Sequence, residues 1–199
     1  MIEFFGIEKK SFMLDIQGLY AITPNKKQDI ALIESVIIKH QVNILQYRHK
    51  TDNDQLKYDE AQQLRELCLT HNTLFIINDD INLCRKIGAD GVHLGREDDS
   101  ISEARTQLGE NAIIGVSCYN QLELSIRAQN QGANYVAFGA LFESATKPNA
   151  MHCPLTVVAQ AKTILRIPIV GIGGITNNNQ QLAFDAGCTA VAMVGGLFK

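Results

Sequence analysis

Acidic and amide residues follow two apolar runs of the sequence, at positions where a strand would end. Asn78 and Asp79 come directly after Leu74–Ile77, and Asp98 lies shortly beyond Gly91–Leu94. If the two runs form neighbouring parallel strands, Asp79 and Asp98 meet at one edge of the sheet. One or two carboxylates with substrate phosphates are the usual ligands of Mg²⁺. Either acid alone is more often solvated or a helix cap, so the metal interpretation depends on what surrounds it.

A polar cluster ends another apolar run. Gln46, Arg48 and Lys50 are separated by two positions at the end of the run Asn43–Tyr47. In an extended segment this spacing places all three side chains on one face. Arg binds phosphate bidentately and Lys binds it as a point charge, so the cluster predicts a phosphorylated substrate. The alternative is a solvated polar strand end.

Hydroxyl groups stand at two further strand ends. Ser117 follows Ile113–Val116 without a GxSxG pattern, so we predict a donor to phosphate rather than a nucleophile. The long irregular stretch Ala140–Pro154 contains Ser144–Lys147, with two hydroxyls and a lysine, and predicts an anion-binding lid. His93 lies within an apolar run and is interpreted as a packed core residue.

Two glycine turns come late in the chain. Gly171–Thr176 and Val194–Gly196 each follow an apolar run. Turns after the last two strands of a barrel often bind phosphate through backbone N–H groups. The GxGxxG spacing is absent, so a dinucleotide site is not indicated. The sequence therefore predicts a cationic diphosphate site and a neutral monophosphate site.

A repeated unit suggests the fold that positions these groups. Gly88–Gly95, Gly132–Gly139 and Gly187–Gly195 each begin with a glycine that fits a helix stop and continue as an apolar run. Such runs suit strands covered on both faces, and their recurrence indicates a βα array. Eight candidate strands lie near Gly18–Ile22, Asn43–Tyr47, Leu74–Ile77, Gly91–Leu94, Ile113–Val116, Tyr135–Phe138, Pro168–Val170 and Ala190–Val194.

Eight strands alternating with helical patterns predict an α/β fold, a single (β/α)8 TIM barrel over residues 1–199. An open doubly wound sheet is the competing fold. The 199 residues are fewer than the roughly 250 typical of the barrel, and the terminal helix is expected to be missing. Residues 1–17 are predicted to form an N-terminal extension packing on the barrel.

Composition narrows the class of protein. The net charge of −3 and the lack of a basic stripe argue against nucleic-acid binding. Neither a signal peptide nor a membrane-spanning run is visible. The five cysteines are odd in number and far apart, which is typical of free thiols in the cytoplasm.

Taken together, the motifs resemble the thiamine-phosphate synthase family. The matching stretches are Gly18–Thr23, Gln46–Lys50, Ile77–Asp79, Gly88–Gly95 with Asp98, Ile114–Ser117, Ser144–Lys147 and Gly171–Ile175. The resemblance implies a Mg²⁺-dependent transferase that joins hydroxymethylpyrimidine diphosphate to a thiazole ethyl phosphate, in this family the carboxylated one, by dissociative displacement. Its partners would be these small molecules, with neither nucleic acid nor membrane. Without the terminal helix, an apolar strip near strands 8 and 1 would be exposed, so the N-terminal segment or a second subunit is predicted to cover it and a homodimer is possible.

The resemblance also implies roles for individual residues. The pyrimidine diphosphate would contact Gln46, Tyr47, Arg48, His49, Lys50, Asn78, Ser117 and Lys147. The metal would be held by Asp79 and Asp98. The thiazole phosphate would contact Ser144, Ala145, Thr146, Gly174, Val194 and Gly195, the last replacing the serine usual in the family. The catalytic residues would be Arg48, Lys50, Ser117 and Lys147.

Two other functions remain open at this point. The related thiazole tautomerase acts on a thiazole phosphate alone and should lack the diphosphate and metal groups. A degenerate barrel could also bind phosphorylated metabolites without catalysis.

Overall fold

Eight short strands alternate with seven helices along the described part of the chain. The computed structural model describes residues 16–95, 99–143 and 151–198. The strands are β1 (Gly18–Ile22), β2 (Ile44–Tyr47), β3 (Leu74–Asn78), β4 (Gly91–Leu94), β5 (Ile113–Tyr119), β6 (Tyr135–Phe138), β7 (Ile169–Ile172) and β8 (Ala190–Met193). The helices are α1 (Ile30–His40), α2 (Asp54–Thr70), α3 (Ile81–Ile87), α4 (Asp99–Leu108), α5 (Leu122–Asn130), α6 (Leu155–Ile164) and α7 (Gln180–Asp185).

The strands close into a barrel. Each strand pairs in parallel with the next, and β8 pairs with β1, for example Gly18 opposite Ala190. This closure confirms the predicted (β/α)8 barrel and excludes the open doubly wound sheet. Among the described residues, no helix follows β8.

Polar caps set where several helices begin. The side chains of Asp29, Asn53 and Asp80 accept hydrogen bonds from backbone N–H groups in the first turns of α1, α2 and α3, at 3.1, 2.9 and 2.8 Å. Each cap satisfies a donor that the helix itself leaves without a partner. Because Asp80 caps α3, β3 passes into that helix within two residues.

Glycines end three helices of the repeated unit. Gly88, Gly132 and Gly187 follow α3, α5 and α7 and have φ angles of 64°, 91° and 117°. Positive φ is strained for residues with a Cβ, which explains why the sequence repeats glycine at this point. The predicted helix stops are therefore confirmed.

Side chains from the strands pack into two layers. One set fills the barrel interior, and the other packs between the barrel and its helices. The interior set comprises Ile16, Tyr20, Ile22, Ile44, Ile76, Ile113, Tyr135, Ala137, Val170, Ala190 and Ala192. Because successive strand residues point to opposite faces, Gln46 reaches the interior Tyr20 while Tyr47 packs under the helices.

Only the last residues of the predicted N-terminal extension lie within the described ranges. Ile16 is buried in the interior cluster, and its carbonyl accepts a hydrogen bond from the Thr189 hydroxyl at 2.8 Å. Packing of the preceding residues on the barrel stays a prediction. Within the described ranges, none of the helices is long and apolar enough to cross a bilayer.

Candidate active site

A small cavity opens at the C-terminal ends of β2 and β3. Its volume is about 250 Å³. It is lined by Tyr47, Arg48, His49, Lys50, Thr51, Lys57, Ile77, Asn78, Asp79, Asp80 and Leu83. The structure thus brings together six predicted site residues from two separate parts of the sequence: Tyr47, Arg48, His49, Lys50, Asn78 and Asp79. This rim is where barrels of this architecture carry their active sites.

Asp79 is held in an unusual backbone conformation. Its φ angle is 62°, and its N–H donates to the His93 carbonyl at 2.8 Å. The Asn78 side-chain amide donates to the Asp79 carboxylate at 2.7 Å. A left-handed conformation outside glycine is uncommon and points to a local functional requirement. Here it allows the one residue between β3 and the cap of α3 to present a carboxylate at the rim.

The basic residues after β2 are fixed through their backbone. The Arg48 N–H donates to the Thr23 hydroxyl at 2.8 Å, and the Lys50 N–H donates to the Asn25 side chain at 2.6 Å. Both acceptors follow β1, so the loop is tied to the neighbouring strand. The Lys50 ammonium lies 4.0 Å from the Asp79 carboxylate, and both groups are more than half exposed. An exposed pair of this kind stabilises the fold little, so Lys50 stays available to an anion.

A buried carboxylate that the sequence analysis did not single out organises the same loop. Glu60 on α2 is 4% exposed. Its carboxylate accepts from the Tyr47 hydroxyl at 2.7 Å and from the Gln28 N–H at 2.7 Å, and lies 2.8 Å from Nδ1 of His49. Burial first, and then the Glu60 carboxylate, raise the pKa of Tyr47 far above its usual range. We infer that the Tyr47 and His49 side chains hold the loop in place, while Arg48 between them lines the cavity.

Hydrogen bonds connect polar side chains across the barrel interior. Nε2 of Gln46 donates to the Tyr20 hydroxyl at 2.8 Å, and this hydroxyl lies 2.8 Å from that of Tyr135. The Tyr135 hydroxyl lies 2.9 Å from Nδ1 of His93, and Nε2 of His93 lies 2.9 Å from the Ser117 hydroxyl. These five residues form what we call the interior chain.

His93 has a larger part than the sequence suggested. It is buried, as predicted, and burial lowers its pKa to about 4, so the imidazole is neutral at neutral pH. It also contacts Ser117, one of the predicted catalytic residues, so its interpretation as a mere packing residue is incomplete. The neighbouring Cys118 is fully buried, and burial raises the pKa of its thiol to about 12.

The glycine turn after β7 approaches the segment after β6. Gly173 and Gly174 have φ angles of 95° and 64°. A Cβ at Gly174 would collide with the carbonyl oxygens of Phe142 and Glu143. Glycine is therefore required here both by conformation and by close approach.

The segment after β6 is fastened at both ends. The Phe142 N–H donates to the Gly173 carbonyl at 3.0 Å. The Ala140 N–H donates to the Met151 carbonyl at 3.1 Å, and the Cys153 N–H donates to the Ala140 carbonyl at 2.7 Å. These backbone bonds join the described residues 140–143 and 151–153, and we call this junction the neck. Val194 is half-buried at the adjoining end of β8, followed by the exposed Gly195.

Several predicted site residues lie outside the described ranges. They are Asp98, Ser144, Ala145, Thr146 and Lys147. Their roles stay predictions. Within the described residues, no cluster of three or more His, Cys, Asp or Glu side chains could hold a metal.

Comparison with known proteins identifies the family. The model of the family described as thiamine monophosphate synthase matches residues 19–197. That match covers β2 to β8 completely and β1 except for Gly18. The chain belongs to the thiamine monophosphate synthase family.

Individual members of the thiamine monophosphate synthase family are close in sequence and in structure. A thiamine-phosphate synthase of Nitrosococcus oceani is 45% identical over 187 residues, covering 92% of this chain and 86% of the relative. One of Chromobacterium violaceum is 45% identical over 185 residues, covering 92% and 89%. The solved thiamine phosphate pyrophosphorylase of Pyrococcus furiosus is 28% identical, with a TM-score of 0.82 over 92% of this chain and 88% of its own. The predicted resemblance is confirmed, and these names do not favour the tautomerase or the non-catalytic binder.

Three residues that organise the site were not predicted from the sequence: Glu60, Tyr20 and Tyr135. All three are buried within or beside elements that were predicted. A glutamate next to the apolar stripe of α2 is the one visible signal, since buried acids normally have partners. The two tyrosines carry no such signal, because in a strand buried on both faces the sequence does not distinguish inward from outward positions.

Proposed function

We propose that this member of the thiamine monophosphate synthase family is a thiamine-phosphate synthase, a transferase. It would condense hydroxymethylpyrimidine diphosphate with thiazole ethyl phosphate to give thiamine phosphate and diphosphate. If the thiazole carries the carboxylate, that group leaves as CO2. The observation that carries this proposal is the convergence of three cations, an amide and two carboxylates on one rim cavity, among them Arg48, Lys50, Asn78 and Asp79. A diphosphate requires such a set, and a barrel acting on a monophosphate alone would not.

The reaction needs no protein nucleophile. The protein would position the two substrates and stabilise the negative charge on the leaving diphosphate. The bond between the pyrimidine methylene carbon and the diphosphate oxygen breaks, and the electron pair leaves with the diphosphate. The pyrimidine amino group stabilises the resulting cation, and the thiazole nitrogen then donates its electron pair to the methylene carbon. Arg48 and Lys50 stabilise the negative charge that develops on the leaving group, with Lys147 proposed to do the same. Ser117 donates a hydrogen bond that orients the diphosphate.

The donor set fits Mg²⁺ better than a softer metal. Asp79 offers a hard oxygen ligand with its backbone already turned toward the rim, and the substrate phosphates offer the others. Asp98 is proposed as the second carboxylate. When bound, Mg²⁺ would partly neutralise the negative charge of the diphosphate. The residues of the chain would hold and orient the substrate around it.

The second anion site is proposed at the ends of β7 and β8. Gly174 permits close approach of backbone, and the half-buried Val194 and the exposed Gly195 follow β8 directly. Together with Ser144, Ala145 and Thr146 they would hold the phosphate of the thiazole through backbone N–H groups and hydroxyls. The two sites would bring the thiazole nitrogen toward the pyrimidine methylene.

Direct product analysis tests the proposed function. The protein is incubated with both substrates and Mg²⁺, and thiamine phosphate and diphosphate are quantified. Formation of both in equal amounts, and its loss when EDTA is added, is expected. Turnover of a thiazole phosphate alone would favour the tautomerase, and binding without turnover would favour the non-catalytic binder.

Replacement of Lys147 by alanine is expected to lower kcat more than it raises KM. Its charge would be most useful as the diphosphate leaves, so its contribution belongs to the transition state. Steady-state kinetics with the pyrimidine diphosphate varied provides the measurement, and Lys162→Ala on α6 is a matched control at a distance from the rim. A change in KM alone would show that Lys147 binds ground state and transition state equally.

Gly195→Ser is expected to be tolerated and to tighten binding of the thiazole phosphate. A hydroxyl would add one donor to a charged acceptor, and such a bond contributes about 1.5–3 kcal/mol, or roughly tenfold or more in affinity. Titration calorimetry with the thiazole phosphate gives the dissociation constant. Weaker binding would show that Gly195 itself is needed for close approach of the backbone.

The setting in which the protein works is likewise proposed. All five cysteines are free and buried, which supports a reducing compartment such as the cytoplasm. The partners would be small phosphorylated molecules rather than nucleic acid or membrane. Assembly as a homodimer is proposed on the basis of the sequence analysis.

A further inference from the structure

The interior chain is a polar path through an otherwise apolar layer. Its neighbours inside the barrel are mostly isoleucine, valine and alanine. Hydroxyl and imidazole groups are costly to bury unless each finds a partner. Among the described residues, every buried side-chain nitrogen and oxygen has one. Phenylalanine would fill the positions of Tyr20 and Tyr135 equally well, so packing alone does not account for the two hydroxyls.

The strand glycine at position 115 makes room for this path. A Cβ at Gly115 would collide with the ring and hydroxyl of Tyr135. The ring of Tyr135 stacks on His93 with centroids 5.5 Å apart and meets Tyr20 edge-on at 6.1 Å. Because residue 115 of β5 is a glycine, the Tyr135 ring has the space to lie between Tyr20 and His93.

With Nε2 of Gln46 as the donor to Tyr20, only one direction of the interior chain gives every hydroxyl and imidazole proton an acceptor. Nε2 of Gln46 donates to the Tyr20 oxygen, so the Tyr20 proton is directed to Tyr135. The Tyr135 proton in turn is directed to Nδ1 of His93, which leaves the single imidazole proton on Nε2. That proton is donated to the Ser117 oxygen. The Ser117 proton is therefore left for a bound group.

We propose that Tyr20, Tyr135 and His93 are positioning residues that fix the Ser117 hydroxyl as a hydrogen-bond donor toward an anionic group of the substrate. The inference deepens the proposed function and rests on it, because the acceptor is taken to be the leaving diphosphate. Ser117 is half-buried near the end of β5, while the rest of the interior chain lies beneath it. When the His93 N–H occupies one lone pair of the Ser117 oxygen, the hydroxyl has fewer orientations left and its proton points away from His93 before the substrate arrives.

A double-mutant cycle tests whether the tyrosines act through Ser117. In the unmodified background Tyr135→Phe should lower kcat by about tenfold with a smaller change in KM, as expected for loss of one oriented donor. In a Ser117→Ala background the same substitution should change kcat by less than about twofold, because the group that it orients is gone. Equal losses in both backgrounds would overturn the proposal, since they would show a purely structural role.

Tyr47→Phe is the matched control. Tyr47 is also buried and also loses a hydrogen bond to a polar partner, but that partner is Glu60, outside the interior chain. Its effect on kcat should be the same in the unmodified background and in the Ser117→Ala background. Thermal denaturation of each variant corrects the rates for the folded fraction.

A measurement without substrate separates this inference from the proposed function. Nitrogen-15 NMR at pH 7, with the His93 signals assigned from a His93→Gln variant, should show the proton on Nε2. In Tyr135→Phe, Nδ1 loses its donor and its chemical shift should move toward that of a free imidazole nitrogen. A proton on Nδ1 in the unmodified protein would overturn the direction of the chain. A lack of turnover by the unmodified protein would count against the proposed function, and the tautomer would still decide this inference.

Discussion

Asp79→Gly is expected to abolish turnover while leaving the protein at least as stable as before. Asp79 holds a φ of 62°, a conformation that costs residues with a Cβ roughly 1 kcal/mol or more and costs glycine little. Removing the side chain relieves this cost but deletes the carboxylate proposed to hold the metal. We expect the free energy of unfolding to rise by up to about 1 kcal/mol. Loss of one preorganised charged group at a reacting centre lowers kcat by about 100-fold or more.

Asp90→Ala provides the control for Asp79→Gly. Asp90 lies at the opposite end of the barrel, where its carboxylate accepts from the Phe75 N–H at 2.8 Å and from Arg65 at 3.1 Å. Its replacement should lower stability while the folded protein keeps its turnover. Urea denaturation and Mg²⁺-dependent initial rates would be measured on both variants. Full turnover by Asp79→Gly, or full turnover of the unmodified protein in EDTA, would remove Asp79 from the metal site.

Glu60→Ala is expected to cause the largest loss of stability among the rim variants. It would leave the Tyr47 hydroxyl, the His49 ring and the Gln28 N–H without their acceptor in a buried setting. Each unsatisfied buried group costs about 1–3 kcal/mol, so a total of about 3 kcal/mol or more is expected in the free energy of unfolding. The KM for the pyrimidine diphosphate should rise, since Arg48 lies between the two released side chains.

Two further variants show whether the effect comes from the Glu60 carboxylate itself. One removes its charge but keeps an acceptor, and the other removes an exposed acid beside it on the same helix. Glu60→Gln keeps one acceptor oxygen, so its stability should fall between that of the unmodified protein and that of Glu60→Ala. Asp59→Ala, an exposed neighbour on the same helix, should change stability by less than about 0.5 kcal/mol. Denaturant titration and substrate kinetics on all three give the comparison. A KM in Glu60→Ala equal to that of Asp59→Ala would show that the loop does not depend on Glu60.

The strands could be predicted closely because both faces of each are covered. Their apolar runs are continuous, and glycines with positive φ mark the ends of several of the helices before them. The differences arise where neighbouring strands extend the pairing. β5 continues to Tyr119 beyond the predicted Val116, through a shift of register against β6. β7 continues to Ile172 because Gly171, expected in a turn, pairs with Phe138.

The sequence predicted the site residues that lie at strand ends. It did not predict those whose role depends on the direction in which a buried side chain points. Asn78 and Asp79 follow from the end of β3, and Arg48 and Lys50 from the end of β2. Glu60 depends on the rotation of α2 about its axis against the loop, which the sequence alone does not specify. The meeting of Tyr20 with Tyr135 depends on the closure of the barrel across residues that are far apart in the chain.

The neck formed by residues 140–143 and 151–153 makes the barrel insensitive to the length of chain that joins its two sides. Because Ala140 is bonded to both Met151 and Cys153, the barrel needs only that the two sides of the neck meet. Lengthening a loop above a closed neck changes its closure entropy slowly, by about 0.6 kcal/mol for each doubling. Insertions and deletions between the two sides of the neck are therefore expected to cost the barrel little stability.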